Sequence, residues 1–270
     1  IAFAGSVPGG QAVARTCADT FKRALIEASG NDAFMVMPSA RMSVASQAAV
    51  FASFANCGQV CTSAERLYIH DDVHDQFVEE VTQLASRLRI GNGLDKVDLG
   101  PMAAQRERDR FEGVLAHAVD QGAKVALGGS RPDGFNRGFF HSPTILTGCT
   151  PDMDIMNNES FGPVMPICRV SSFDEALEHA NNSKYALGSF IYTNDLAESM
   201  RAINEIEAGM TWVNSSSLLD NDAGPFGGRK MSGTGRQLGA EGLDQFRHSK
   251  FSMIDHENVP ADFWWFPYKD

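Results

Sequence analysis

The sequence has no surplus of basic residues. It contains 23 lysines and arginines against 34 aspartates and glutamates, which gives a formal net charge of −11, and the cations are scattered along the chain. A protein with this balance is repelled by phosphate backbones and by anionic lipid surfaces. The composition therefore disfavours nucleic acid and membranes as partners.

Long apolar runs and metal-binding cysteine motifs are also missing. No apolar stretch approaches the roughly 20 residues that cross a bilayer, and the start of the sequence does not have the form of a secretory leader. The five cysteines include no C-x-x-C pair, so we predict neither a zinc site nor a thioredoxin-like site. Reduced cysteines without a disulfide framework indicate a cytoplasmic protein.

What is present is an alternation of strand and helix patterns. Residues 23–28 and 33–37 are apolar runs typical of strands, whereas residues 73–88 and 105–121 show apolar side chains at helical spacing. This alternation predicts an α/β fold with a mostly parallel, twisted sheet and helices on both of its faces. Residues 1–4 have the pattern of a strand interior, which indicates that the chain is a piece of something longer.

A glycine-rich turn joins this first strand pattern to a helix pattern at residues 11–18. Gly5 and Ser6 lie at the beginning of the turn. A strand, a glycine turn and a helix in this order direct backbone N–H groups and a helix N-terminus toward a phosphate group. An ordinary connection between two elements has the same form, so the pattern alone leaves both interpretations open.

Two further residues are candidates for chemistry. Cys61 lies between a helix pattern at residues 43–54 and a strand pattern at 66–70, which predicts that it sits on a turn. A thiolate held there is a strong nucleophile if its pKa is lowered, but cysteine is also a common small core residue. Glu27 lies near the end of a strand pattern, where it is either a general base or a glutamate that faces solvent.

Together with their neighbours, these residues resemble the aldehyde dehydrogenase superfamily. Motifs similar to those of the family occur in the family's order over nearly the whole chain, and they correspond to roughly the second half of a family chain. The segments that carry the resemblance are residues 3–6, Glu27, residues 58–62, residues 158–163 and residues 225–233.

The resemblance implies a role for each matched residue. Cys61 corresponds to the nucleophile and Glu27 to the catalytic glutamate. Gly5 and Ser6 correspond to the turn that binds the cofactor phosphates. Glu159 corresponds to the glutamate that holds the nicotinamide ribose, and Phe161 to the phenylalanine beside the ring. The implied reaction is oxidation of an aldehyde to its carboxylic acid with NAD or NADP, through a thiohemiacetal and a thioester on the cysteine.

Two alternatives share the same motifs. In a CoA-acylating member of the family, CoA accepts the acyl group in place of water, and such an enzyme needs no deacylating base like Glu27. A catalytically silent structural member is the other alternative, because residues 28–30 read Ala-Ser-Gly where the family usually has Leu-Gly-Gly.

The resemblance also predicts the organisation of the chain. Residues 1–29 would end a Rossmann-like dinucleotide-binding domain, residues 30–231 would form the catalytic domain, and residues 232–246 would return to the first domain. Residues 247–257 would hold an oligomerisation strand at 250–254, and 258–270 an aromatic tail. We therefore expect a homodimer or homotetramer that acts on a small aldehyde.

Overall fold

The computed structural model describes residues 1–216, 222–257 and 266–267, and its elements follow the predicted alternation of strands and helices. The strands are β1 Ala2–Ala4, β2 Leu25–Glu27, β3 Asp32–Val36, β4 Ala64–His70, β5 Lys124–Leu127, β6 Thr144–Cys149, β7 Val164–Val170, β8 Tyr185–Ala186, β9 Ser189–Tyr192, β10 Trp212–Val213, β11 Arg229–Lys230 and β12 Gly233–Thr234. The helices are α1 Val7–Ala18, α2 Met42–Phe54, α3 Asp71–Ala85, α4 Gln105–Asp120, α5 Phe173–Asn181, α6 Leu196–Glu205 and α7 Gly239–Asp244.

The larger sheet runs in the order β10-β9-β3-β4-β7-β6-β5. All neighbouring strands in it are parallel except β5, which is antiparallel to β6. Alternate side chains of its central strand β3 enter two different cores. Ala33 and Met35 pack in a cluster that includes residues of α4, α5 and α6, whereas Phe34 and Val36 pack in a cluster with α2 and α3. Helices therefore cover both faces, as a buried parallel sheet requires.

A smaller sheet, in the order β1-β2-β12, carries the first strand of the chain. β1 and β2 are parallel and β12 is antiparallel to β2, with Gly233 opposite Glu27. β12 lies late in the sequence, so the chain leaves this sheet after β2, builds the larger sheet and then returns. A separate two-stranded sheet is formed by β11, which directly precedes β12 in the sequence, and β8.

The α/β fold with a mostly parallel sheet, predicted from the sequence, is confirmed. Helix α1 begins at Val7, four residues before the predicted start, because Ser6 caps it: the Ser6 hydroxyl accepts a hydrogen bond from the Gly9 N–H, with 3.4 Å between O and N. In the part of the chain that the structure describes, no helix is both long and apolar enough to cross a membrane.

The oligomerisation strand expected at residues 250–254 is not formed within the single chain, and its pairing with a second copy stays a prediction. Among the described residues from 247 to 257, no strand is formed, and Phe251, Met253 and Ile254 are exposed. A strand exists only through its ladder of backbone hydrogen bonds to a neighbour, and here no described strand of the chain pairs with it. Most of the aromatic tail, residues 258–270, lies outside the described residues.

Candidate active site

The turn that carries Cys61 begins where α2 ends. Asn56, Cys57 and Gly58 adopt left-handed backbone conformations in succession, with φ values of 50°, 60° and 67°. Only glycine fits at the third of these positions, since a Cβ on Gly58 would lie 2.1 Å from the Gly162 carbonyl oxygen. The Asn56 side-chain amide also donates to the Gln59 carbonyl oxygen at 3.0 Å. The chain therefore reverses sharply just before Cys61.

Cys61 lies on a turn, as predicted, and is half-buried. The turn closes through a hydrogen bond from the Ser63 N–H to the Val60 carbonyl oxygen, and the Ser63 hydroxyl donates to the Gly58 carbonyl oxygen at 3.1 Å. The other cysteines of the chain are buried. Cys61 is therefore the one with a partly accessible thiol, held by a network of short-range hydrogen bonds.

Glu27 reaches the same place from the smaller sheet. It is the last residue of β2, and its carboxylate accepts a hydrogen bond from the Gln237 side-chain amide, with 2.6 Å between the two atoms. The Glu27 carboxylate lies close enough to the Cys61 thiol to raise its pKa. The structure thus brings together two residues that are 34 positions apart, Glu27 at the end of a strand of the smaller sheet and Cys61 on the turn before β4 of the larger sheet.

The electrostatic environment opposes ionisation of the thiol. Burial, the hydrogen bond to Glu27, and the negative charges of Glu27 and Asp32 raise the pKa of Cys61, and the Thr62 N–H lowers it only in part. The sequence alone does not decide whether the pKa of the Cys61 thiol is lowered. In the structure this pKa is raised. Formation of a thiolate therefore requires a base that takes the proton of the thiol. The Glu27 carboxylate lies near this thiol.

The predicted phosphate turn also has a definite geometry. β1 leads through Gly5 to Ser6, which caps α1, and both residues are exposed. The first turn of α1 contains no acidic residue. An exposed helix N-terminus without a nearby carboxylate attracts anions, because its backbone N–H groups carry partial positive charge.

Glu159 and Phe161 lie on the other side of the Cys61 turn. A Glu159 carboxylate oxygen accepts a hydrogen bond from the Gly30 N–H at 3.0 Å, and burial raises the pKa of this carboxyl. Phe161 has a left-handed backbone with φ of 46°. Both side chains are half-buried. They therefore remain partly accessible beside the candidate site.

A buried carboxylate that the sequence analysis missed holds this segment in place. Glu65, 3% exposed, accepts hydrogen bonds from the Ser160 and Phe161 N–H groups, both at 2.7 Å, and from the Asn31 side-chain amide at 3.1 Å. Burial raises the pKa of Glu65 to about 8, while these donors act in the opposite direction. The sequence feature that could have revealed this buried carboxylate is a charged pair, Glu65 and Arg66, at the start of an apolar strand pattern.

Arg66 was also missed. Its guanidinium donates to the carbonyl oxygens of Asn31 at 2.7 Å and His179 at 2.9 Å, and it contacts the Tyr68 hydroxyl at 3.3 Å. These partners lie before β3, in α5 and in β4. Arg66 therefore connects the segment before β3 with α5 and with β4 of the larger sheet.

The aldehyde dehydrogenase family profile matches residues 1–252. The chain belongs to the aldehyde dehydrogenase family. It is 40% identical over 251 residues to a succinate-semialdehyde dehydrogenase [NADP(+)] of Mycobacterium avium (strain 104), a match that covers 93% of this chain and 52% of that protein. It is 36% identical over 253 residues to a 3-sulfolactaldehyde dehydrogenase of Pseudomonas putida, with 93% and 51% covered.

A solved structure of the same family superposes closely. Betaine aldehyde dehydrogenase from Staphylococcus aureus, in complex with NAD+, matches with a TM-score of 0.91 at 28% identity and covers 98% of this chain and 53% of that one. This aldehyde dehydrogenase chain therefore spans about half the length of the curated relatives it matches.

Proposed function

We propose that this chain provides the catalytic part of an NAD(P)-dependent aldehyde dehydrogenase that oxidises an aldehyde to its carboxylic acid. The observation that carries the proposal is the proximity of the Glu27 carboxylate, at the end of β2, to the Cys61 thiol on the turn before β4. Names of family relatives support the reaction class, since they specify oxidation of semialdehydes and of sulfolactaldehyde.

The residues of this chain suit a dinucleotide cofactor. Gly5 and Ser6, exposed at the N-terminus of α1 with no acid in its first turn, would bind its phosphate groups. Glu159 offers carboxylate oxygens to the ribose hydroxyls, and Phe161 offers an apolar face to the nicotinamide ring. A bound nicotinamide supplies the acceptor for the hydride. NADP(+) in the name of one relative and NAD+ in the structure of another support both forms of the cofactor.

Glu27 performs two proton transfers in the proposed mechanism. It first accepts the proton of the Cys61 thiol, because the environment of that thiol disfavours unaided ionisation. The thiolate then attacks the aldehyde carbon and forms a thiohemiacetal, whose oxyanion the Cys61 N–H stabilises. After the carbon is oxidised to a thioester, Glu27 releases the thiol proton to solvent, and the regenerated carboxylate then accepts a proton from the water that hydrolyses the thioester. A positioned general base typically contributes about 10²–10⁴-fold.

The test separates these roles in the full-length protein by following the absorbance of reduced cofactor after mixing with aldehyde. Cys61→Ala should give neither a burst nor steady turnover. Glu27→Gln should form the thioester and stall after about one equivalent, with a slower burst that recovers at high pH, where a thiol ionises unaided. Steady turnover of Glu27→Gln at the wild-type rate would refute the role of this base.

The same assay distinguishes the two alternatives. Steady turnover that depends on added CoA would indicate an acylating enzyme. A thiol that reacts with an aldehyde probe while no cofactor is reduced would indicate a catalytically silent member of the fold.

We also propose the domain division and assembly that the family resemblance implies. β12, at residues 233–234, pairs with β2, which supports a return to the first domain within residues 232–246. Phe251, Met253 and Ile254 are exposed apolar side chains, which supports pairing of residues 247–257 with a second copy in a homodimer or homotetramer. Deletion of residues 247–270 should lower the molecular mass measured by light scattering to that of a smaller assembly.

A further inference from the structure

The backbone between Glu159 and Phe161 is held by a buried carboxylate that the mechanism above does not use. The two oxygens of Glu65 accept one N–H group each from this segment, Oε2 from Ser160 and Oε1 from Phe161, both at 2.7 Å. Residues 159–161 lie outside the described helices and strands, so these N–H groups take no part in regular secondary structure. Because burying a charged carboxylate costs free energy, its place beneath an irregular segment indicates that the position of the segment matters.

Asn31 supports the same segment together with Glu65. Its side-chain amide is buried and donates to Glu65 at 3.1 Å and to the Asn158 carbonyl oxygen at 3.3 Å. Asn31 directly follows Gly30, whose N–H donates to the Glu159 carboxylate at 3.0 Å. The Glu159 carboxylate and the backbone on both of its sides are therefore fixed by hydrogen bonds.

The segment at residues 158–162 also contacts the chain on both sides of the proposed nucleophile. Glu65 lies four positions after Cys61, near the start of β4. Three positions before Cys61, the backbone of Gly58 approaches Gly162 so closely that an added Cβ would lie 2.1 Å from the Gly162 carbonyl oxygen. One contact before the nucleophile and one after it therefore connect this segment to the turn that carries Cys61.

We propose that Glu65 is a positioning residue for the cofactor side of the active site: by accepting both N–H groups, it sets where Glu159 and Phe161 lie relative to the nucleophile turn. This inference rests on the proposed function, in which those two side chains bind the ribose and the nicotinamide ring. A displacement of about 1 Å from the productive geometry lowers a rate by about 100-fold, so their position matters for hydride transfer. Glu65 acts only through them, since at 3% exposed it is not accessible to a cofactor or a substrate.

The substitution Glu65→Gln removes this function with little change of volume. Both carboxylate oxygens accept an N–H group, whereas a glutamine side chain has one acceptor oxygen and one NH2 group. In Glu65→Gln the NH2 group therefore faces the N–H of either Ser160 or Phe161, and two donors repel each other. The segment should shift away from its wild-type position without a cavity being opened in the core.

The test uses the full-length protein and measures cofactor binding and thiol reactivity separately. Binding of NADH and of NADPH is followed in the absence of aldehyde by the change in cofactor fluorescence. We expect Glu65→Gln to raise the dissociation constant of the bound form about tenfold, the size associated with loss of a hydrogen bond to a charged group. Alkylation of Cys61 by iodoacetamide, read by mass spectrometry, should stay within about twofold of the wild-type rate, because the Glu65 carboxylate is directed at residues 160 and 161.

Ser46→Ala is the matched control for the loss of a buried hydrogen bond. Ser46 is 0% exposed, and its hydroxyl donates to the Glu80 carboxylate at 3.0 Å, which joins α2 to α3. This variant should unfold at a lower temperature than the wild type and bind the reduced cofactor with an unchanged dissociation constant. An equal loss of cofactor affinity in Ser46→Ala would overturn the proposal, since general destabilisation would then be the cause.

A dissociation constant of Glu65→Gln within about twofold of the wild type would also overturn the role of Glu65. So would a parallel loss of Cys61 alkylation, because Glu65 would then support the whole turn and not the cofactor side alone. If Glu65→Gln does not fold by circular dichroism, Glu65→Asp withdraws the two oxygens by one methylene group, and the same rise is expected. Absence of cofactor binding by the wild type refutes the proposed function together with this role, whereas unaltered binding by Glu65→Gln refutes this role alone.

Discussion

The two sheets of this molecule differ in how completely they are covered. Every residue of β3 in the larger sheet is at most 2% exposed, and helices pack on both sides of it. In β1 of the smaller sheet, Ala2 and Ala4 are exposed and Phe3 is only half-buried. A cleft of about 690 Å³ opens beside it and is lined mainly by apolar side chains, including Leu25, Leu243 and Phe246.

The difference matters because the proposed mechanism needs Glu27 from the smaller sheet and Cys61 from the turn that leads into the larger one. Cys61 lies on a turn that leads into the fully packed β4, whereas Glu27 ends a strand of the thinner sheet. The position of Glu27 depends on contacts from the returning segment, through Gln237 and through β12. The proposed nucleophile therefore lies next to a densely packed sheet, whereas the proposed general base is held by a small number of connections.

The largest expected effect is on stability, in the better-covered sheet. The ring of Phe34 is 0% exposed and stacks on Tyr192 with 5.0 Å between ring centroids. We expect Phe34→Ala to lower the free energy of unfolding by about 3–5 kcal/mol, because it leaves a cavity that cannot close. Leu25→Ala in the smaller sheet should lose about 2 kcal/mol, since its neighbourhood opens into the cleft. Urea denaturation measures both, and equal losses would contradict the contrast between the sheets.

The next effect concerns the close approach of Gly30 to the carbonyl oxygen of Cys61. Gly30→Ala would place a Cβ 2.1 Å from the Cys61 carbonyl oxygen and so displace the turn. We expect the kcat for aldehyde oxidation to fall by about 100-fold, the size associated with a misplacement of about 1 Å. At Gly113, in α4, no described atom outside the local helix backbone lies within 4 Å of the Cβ that Gly113→Ala would add. This control should keep full activity and gain about 0.5–1 kcal/mol of stability.

A smaller effect is expected at the connection between the sheets. The Ser232 hydroxyl, 0% exposed, accepts a hydrogen bond from the Ala186 N–H at 3.0 Å and donates one to the Ser29 carbonyl oxygen at 2.8 Å. Ser232→Ala leaves both backbone groups without this partner and should cost about 1–3 kcal/mol. Ser86→Ala removes an exposed hydroxyl and should change stability by less than about 0.5 kcal/mol. Thermal unfolding of the two variants side by side would show whether the connection matters.

The smallest expected effect is a dependence of stability on pH at Asp32. Because burial raises the pKa of Asp32 to about 7, the folded protein holds a proton that the unfolded chain has already released. The stability from this group is therefore present at low pH and is lost as the pH rises through about 7. Asp32→Asn should raise the melting temperature relative to wild type by more at pH 8.5 than at pH 5.5, an effect on the order of 1 kcal/mol.

The control for this prediction has the opposite sign. Hydrogen bonds from Arg89 lower the pKa of Asp98 to about 2. Asp98→Asn should therefore lose any stabilising effect of this pair at both pH 5.5 and pH 8.5, with no gain at alkaline pH. A pH-independent difference between Asp32→Asn and wild type would contradict the account of Asp32.

The sequence by itself determined the α/β class, most of the helices and strands, and the turn at Cys61. These features are local: apolar periodicity, a serine cap before α1 and the glycine at position 58 act over a few residues. Helix α5 is also capped locally, since the Ser172 hydroxyl at its N-cap accepts a hydrogen bond from the Glu175 N–H at 3.1 Å. The order of the motifs further indicated the family.

Only the tertiary structure decided which side chains meet. The contact of Gln237 with Glu27 joins residues 210 positions apart, and Glu65 receives the Ser160 N–H from 95 positions away. It also decided that residues 250–254 do not pair with any described strand of the chain, and that the carboxyl oxygens of buried Asp32 accept no hydrogen bond of normal geometry from the described residues. Periodicity reports only whether a residue faces the core, whereas the pKa of a buried group depends on which charges and donors the fold brings within a few ångströms of it.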